Sequence, residues 1–111
     1  MEKCVNLSDG TSFPRVYLAQ DFFREILRAE PPGFSLSEDH EKTVITLYSD
    51  YCAATSWPLR DRIIGARRGT EIRRSKGKKI QTECFLIIFA DGSDCSFSFI
   101  KACSAISTRE A

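Results

Sequence analysis

Nine basic side chains fall within twenty positions of this chain: Arg60, Arg62, Arg67, Arg68, Arg73, Arg74, Lys76, Lys78 and Lys79. Asp61 and Glu71 are the acids among them, so the stretch carries 9 − 2 = +7. The rest of the chain holds 16 − 9 = 7 basic and 15 − 2 = 13 acidic residues, or −6, and the whole is +1. Like charges packed this densely repel one another, and a phosphate-bearing partner relieves that repulsion. The candidate contacts are Arg67, Arg68, Arg73, Arg74, Lys76, Lys78 and Lys79. Trp57, close by in sequence, offers a face on which a base can stack. The competing reading is a solvated loop that offsets the acidic remainder.

Other chemistry finds less support. "GARRGTE" lacks the Gly-Lys-Ser/Thr ending of a nucleotide-binding loop. His40 is the only histidine, and no Ser-His-Asp or Cys-His arrangement can be assembled around it. It reads as a surface or partly packed residue, so no catalytic residues and no cofactor are expected. The five cysteines (4, 52, 84, 95 and 103) include no Cys-x-x-Cys pair, which argues against a zinc site, and no metal is expected. Cys84, Cys95 and Cys103 sit in apolar stretches and read as small buried hydrophobes of a reducing compartment. "MEKCVNLSDG" has no apolar leader and no run is long enough to span a bilayer, so a cytoplasmic protein without a membrane partner is expected.

The elements that must position the basic segment follow from periodicity. At 111 residues, 42% hydrophobic and 28% charged, the chain is expected to form one globular domain, 1–111. Asp9-Gly10 marks a turn in "VNLSDGTSF". In "RVYLAQDFFREILRAE", Tyr17, Leu18, Phe22, Phe23, Ile26 and Leu27 recur with helical spacing, and Pro31-Pro32-Gly33 ends the helix. In "FSLSEDHEKTVITLYSDY", Ser37 is a candidate N-cap with Glu38, Asp39 and Glu41 in the first turn, and Val44, Leu47, Tyr48 and Tyr51 form the apolar stripe. "RRSKGKK" reads as a solvated turn with Gly77 at its apex, and Ile72 lies on a strand running into it.

"CFLIIFADGSDCSFSFIKAC" reads as a β-hairpin turning at Asp91-Gly92. A two-residue loop pairs Leu86 with Phe97 and Cys84 with Phe99. Cys84, Leu86, Ile88, Cys95, Phe97 and Phe99 then form an apolar face for the helices, and Phe85, Ile87 and Phe89 fall on the other side. Phe85, Ile87 and Phe89 thereby become the contact surface of a second functional reading, a protein-interaction adaptor. Phe97 and Phe99, each flanked by serine, match both a buried face and the aromatic sheet of single-strand RNA binders. The expected fold class is α+β: two amphipathic helices packed on one face of a small, mainly antiparallel sheet with a C-terminal β-hairpin.

Four blocks carry a likeness to a known family. "SFPRVYLAQDFFREIL", "LSEDHEKTVITLYSDY", "RIIGARRGTEI" and "ECFLIIFADGSDCSFSFIKAC" together resemble the DCL (defective chloroplasts and leaves) family, from about Phe13 to about Cys103. The last block is the most specific, through Cys84, Phe85, Asp91, Gly92, Phe97, Ser98, Phe99 and Lys101. The family's histidine after the second helix is replaced here by Asp50-Tyr51. The resemblance implies an RNA-associated accessory module without established catalytic residues, since plant members are implicated in plastid ribosomal RNA processing. The leading expectation is therefore a non-enzymatic protein that binds RNA, or an RNA-containing complex, through the basic segment.

Overall fold

The structure, a computed structural model, describes residues 4–29, 36–59 and 61–109, and for residues 71, 73, 75, 81, 82, 108 and 109 the backbone alone. The chain opens on a small hairpin, β1 (Val5–Asn6) with β2 (Ser12–Phe13). Gly10 adopts a φ of 96° at the turn, and its N–H donates to the Leu7 carbonyl at 3.1 Å. α1 (Val16–Ala29) buries Ala19, Phe23, Ile26 and Leu27, while Tyr17, Leu18 and Phe22 stay on its exposed side. Phe22 leans instead on Phe13, ring centroids 5.3 Å apart. The Pro31-Pro32-Gly33 terminator lies outside the described residues.

α2 (Glu38–Thr55) starts where Ser37 caps it: the Ser37 hydroxyl accepts the His40 N–H at 3.4 Å. It buries Val44, Leu47, Tyr48 and Cys52 and continues past Tyr51 to Thr55. Ser56 then turns left-handed at φ 57°, and the Trp57 N–H donates to the Cys52 carbonyl at 2.9 Å. This six-to-one bond closes a Schellman cap and fixes where Trp57 leaves the helix.

β3 (Ile63–Ser75), β4 (Lys78–Phe89) and β5 (Asp94–Phe97) form an antiparallel sheet in that order. The fold class is α+β, as expected. A third helix, α3 (Phe99–Arg109), replaces the expected end of the last strand. Phe99, Ala102, Cys103 and Ile106 are buried at i, i+3, i+4 and i+7, a helical stripe. The Ser98 hydroxyl starts the helix by accepting the Lys101 N–H at 3.3 Å.

The C-terminal hairpin forms, in a register one residue away from the expected one. Phe85 pairs with Phe97, Leu86 with Ser96, Ile87 with Cys95 and Ile88 with Asp94. The cause is the loop. The Gly92 N–H donates to the Phe89 carbonyl at 3.0 Å, and the Phe89 N–H to the Ser93 carbonyl at 2.9 Å. With Gly92 at φ 89°, Ala90-Asp91-Gly92 make a three-residue loop that ends on a left-handed glycine. One more loop residue shifts the pairing by one and exchanges the faces of β4. Leu86 therefore does not stand beside Phe97 under the helices. Phe85, Ile87 and Phe89 do, at 0%, 0% and 1% exposure.

Phe85 is the hub of the resulting core. Its ring lies 6.4 Å from Phe23 of α1, 6.1 Å from Phe97 of β5 and 6.0 Å from Phe99 of α3. Tyr48 of α2 packs on Phe97 at 5.1 Å and on Phe89 at 6.3 Å. All three helices thus seal one face of the sheet. α2 also ties down the periphery: the Glu41 carboxylate accepts the Ala66 N–H of edge strand β3 at 3.3 Å, and Asp50 accepts the Ser8 N–H at 2.8 Å.

Candidate nucleic-acid interface

Beyond Gly69 on β3 and Cys84 on β4 the hairpin leaves the helices. Six residue pairs continue it, from Thr70↔Glu83 to Ser75↔Lys78. At about 3.3 Å per residue the two strands extend roughly 20 Å from the body. Thr70, Ile72, Arg74, Lys76, Gly77, Lys78, Lys79, Ile80 and Glu83 are all exposed. Lys76 at φ 52° and Gly77 at φ 77° make the tip a two-residue turn with both residues left-handed, whose twist matches the strands it joins.

This arm carries much of the expected site. Between Ile72 and Ile80 the sequence has five basic residues and no acid. Arg74 stands opposite Lys79, so both project from one face. Lys78, next to Lys79 on the strand, projects from the other face, and Lys76 sits at the turn. The segment is thus a paired ribbon with charge on both sides rather than a loose loop. The Arg73 side chain and the whole of Arg60 lie outside the described residues.

Arg67 and Arg68 do not join the arm. They lie on β3 within the body of the sheet, where strand alternation sends them to opposite faces. An Arg67 guanidinium nitrogen lies 3.5 Å from an Asp94 carboxylate oxygen on β5. Arg68 stands opposite Phe85 on the helix side, is 8% exposed, and pairs with Glu83 two residues away along β4. These two expected phosphate contacts are therefore engaged within the chain. The adaptor surface is overturned by the register: Phe85, Ile87 and Phe89 are core. Phe97 and Phe99 are buried too and cannot stack on a base.

A second feature escaped the sequence reading. A cleft of about 510 Å³ opens between the end of α2, β5 and the start of α3. Tyr48, Phe89, Phe97, Cys52 and Cys95 line it from the core side, with Tyr51, Thr55, Trp57, Pro58, Ser96, Ser98 and Lys101 around them. Trp57 is 67% exposed. The Cys95 thiol lies 3.4 Å from the Tyr48 hydroxyl. Burial, reinforced by hydrogen bonds with Cys95 and Cys52, pushes the Tyr48 phenol far above its ordinary range. Burial likewise pushes up the Cys52 thiol, and takes Cys103 from 9.0 to about 12. These groups hold their protons, the opposite of an activated nucleophile. Helical periodicity assigns Tyr48 and Tyr51 to the apolar stripe of α2, and Trp57, read from the sequence as a stacking face beside the basic segment, stands at the cleft instead.

No protein-family model and no curated protein matches the chain. Its fold is similar to that of a solution NMR structure of an uncharacterized protein from Rhodospirillum rubrum, with a TM-score of 0.65 and 24% identity over 92% of this chain and 88% of that one. At that identity the likeness is one of fold. Among the described residues no helix is long and apolar enough to cross a membrane.

Proposed function

We propose that this protein is a non-enzymatic RNA-binding module, an accessory to RNA processing or maturation of the kind the DCL resemblance implies, and that it holds RNA by its basic hairpin arm. The carrying observation is the separation of the basic segment into two parts. Arg67 and Arg68 are engaged by Asp94 and Glu83 in the body. Arg74, Lys76, Lys78 and Lys79 project from a ribbon whose described side chains are all exposed. Cations at the end of an extended ribbon reach phosphates that a flat surface cannot, and they neutralise charge with little sequence preference.

The test is a salt titration of binding to single-stranded and folded RNA. Each phosphate contact on a single strand contributes about −0.7 to the slope of log affinity against log salt. Changing Arg74 and Lys79 to Ala together is expected to flatten the slope by roughly 1.4 and to leave the unfolding midpoint in place, because both side chains are exposed. Absence of RNA binding by the folded wild type at low salt would overturn the proposal. An unchanged slope in the double variant would remove the arm from the interface.

A further inference from the structure

We propose that the cleft beside Trp57 binds a single nucleoside monophosphate unit, the base stacked on Trp57 and the phosphate held at Lys101. The inference deepens the RNA reading and rests on it for the source of the unit, an unpaired nucleotide of a bound strand; a free nucleotide has the same chemistry.

Three observations define the occupant. The first is size: about 510 Å³ falls within the range of small-ligand clefts. The second is shape. Tyr48, Tyr51, Trp57 and Phe97 all border the space, so aromatic side chains make up much of its lining and suit a flat ring. Trp57 keeps two-thirds of its surface in solvent although its backbone is fixed by the cap at Ser56. A large indole held in place yet uncovered offers a stacking platform at small ordering cost. The third is charge. Among the described residues lining the cleft, Lys101 is the one cation, and no carboxylate joins it. Lys101 lies in the first turn of α3, where the backbone dipole adds positive potential. The Ser98 hydroxyl, which accepts the Lys101 N–H, keeps its own proton to donate. An apolar ring without an anionic group would leave that end of the cleft unanswered, and inorganic phosphate would leave the aromatic wall unused.

The site lies apart from the arm. Phe97 pairs with Phe85, six residues from Lys79 along β4, or about 20 Å. The two can therefore be tested separately. Trp57 is the only tryptophan, so its fluorescence reports on the cleft alone. The probes are adenosine 5′-monophosphate, adenosine and inorganic phosphate. The nucleotide is expected to quench Trp57 saturably, adenosine to do so more weakly, and phosphate alone not to quench. Lys101→Ala removes an exposed side chain and is expected to weaken the nucleotide roughly tenfold, as loss of one charge-assisted contact does, with little change for adenosine. The Arg74→Ala, Lys79→Ala variant is expected to bind the nucleotide like wild type. No saturable quenching up to roughly 10 mM nucleotide, or equal nucleotide affinity in Lys101→Ala, would overturn the proposal. If RNA fails to bind while the nucleotide still quenches through Lys101, the cleft stands with a free nucleotide as its ligand and the RNA reading falls. If RNA binds through the arm and the nucleotide never quenches, the cleft falls and the arm stands.

Discussion

Gly69 provides the sharpest test of the sheet register. It lies on β3 opposite Cys84, on the face away from the helices, and Leu86 leans across it. A Cβ built on Gly69 would stand 2.5 Å from one Leu86 methyl and 2.6 Å from the Leu86 Cγ. The second contact matters more, because Cγ is the branch point and cannot be cleared by turning the terminal methyls. Gly69→Ala must therefore swing the whole Leu86 side chain outward. Overpacking of this kind costs about 1–3 kcal/mol, and relief of the glycine's excess chain entropy in a strand returns about 0.5–1 kcal/mol. The net expectation is a loss of roughly 1–2 kcal/mol, or a fall in Tm of about 5–15 °C. In a Leu86→Ala background the obstacle is gone, and the same change is expected to be neutral or to stabilise by about 0.5–1 kcal/mol. Urea unfolding of the wild type, both single variants and the double variant closes the cycle, with a coupling of roughly 1.5–3 kcal/mol. If Gly69→Ala is neutral in the wild-type background, or if the two changes add, Leu86 does not cover Gly69 and the register is wrong.

Three further outcomes are expected. Phe85→Ala, at the hub of the aromatic core, costs about 3–5 kcal/mol, whereas Leu86→Ala on the half-open face costs no more than about 2; equilibrium unfolding that reverses this order contradicts the observed faces. Ser56→Gly relieves a left-handed serine at φ 57° and is expected to stabilise by about 0.5–1 kcal/mol, read as a rise in Tm, with a fall showing that the cap does not form. Folded-state pKa values are raised for Cys103, from 9.0 to about 12, and in the same direction for Tyr48 and Cys52. Each group ionises more readily when unfolded, so stability is full below about pH 9 and declines as pH rises from there toward 12; a flat urea midpoint across that window would show that these groups are not buried.

The first two helices and three of the turns were legible because their signals are local. Ser37, the acids behind it and the 44–47–48–51 stripe specify α2 within one segment, and Asp9-Gly10, Gly77 and Asp91-Gly92 all fall at turns. The register of β4 was not legible, since Asp91-Gly92 suits both two- and three-residue loops and β4 is apolar on both faces. Nothing in "CFLIIF" itself says which face meets the helices. β5, with Cys95 and Phe97 alternating against serine and aspartate, was assigned the correct face. α3 was missed because Phe97, Phe99 and Cys103 also fit a strand read onward from β5, while the 99–102–103–106 stripe fits only a helix. The arm was half legible. Charge density marked the segment, but which arginines face a carboxylate depends on Asp94 and Glu83, and those neighbours exist only once three strands are paired.

That pairing divides a basic run that looks uniform in sequence. Arg67 and Arg68 lie where the sheet is three strands wide or backed by helices, so their charges are partly desolvated and need counter-charges; Asp94 on β5 and Glu83 on β4 supply them. From residue 70 onward the sheet is two strands wide and open to water, and no such requirement acts. Among the described side chains there, Arg74, Lys76, Lys78 and Lys79 face no carboxylate at ion-pair distance. Repulsion among them lowers the stability of the ribbon in isolation and is relieved when an anion binds. Because strand alternation distributes these cations over both faces, the arm is fitted to lie between phosphates rather than against one flat array of them. A ribbon that is held by its root in a packed core and carries its exposed cations toward the free end can give them up singly without unfolding the domain. Substitution at Arg68 has no such freedom, since it leaves Glu83 without its partner and opens the end of the core beside Phe85.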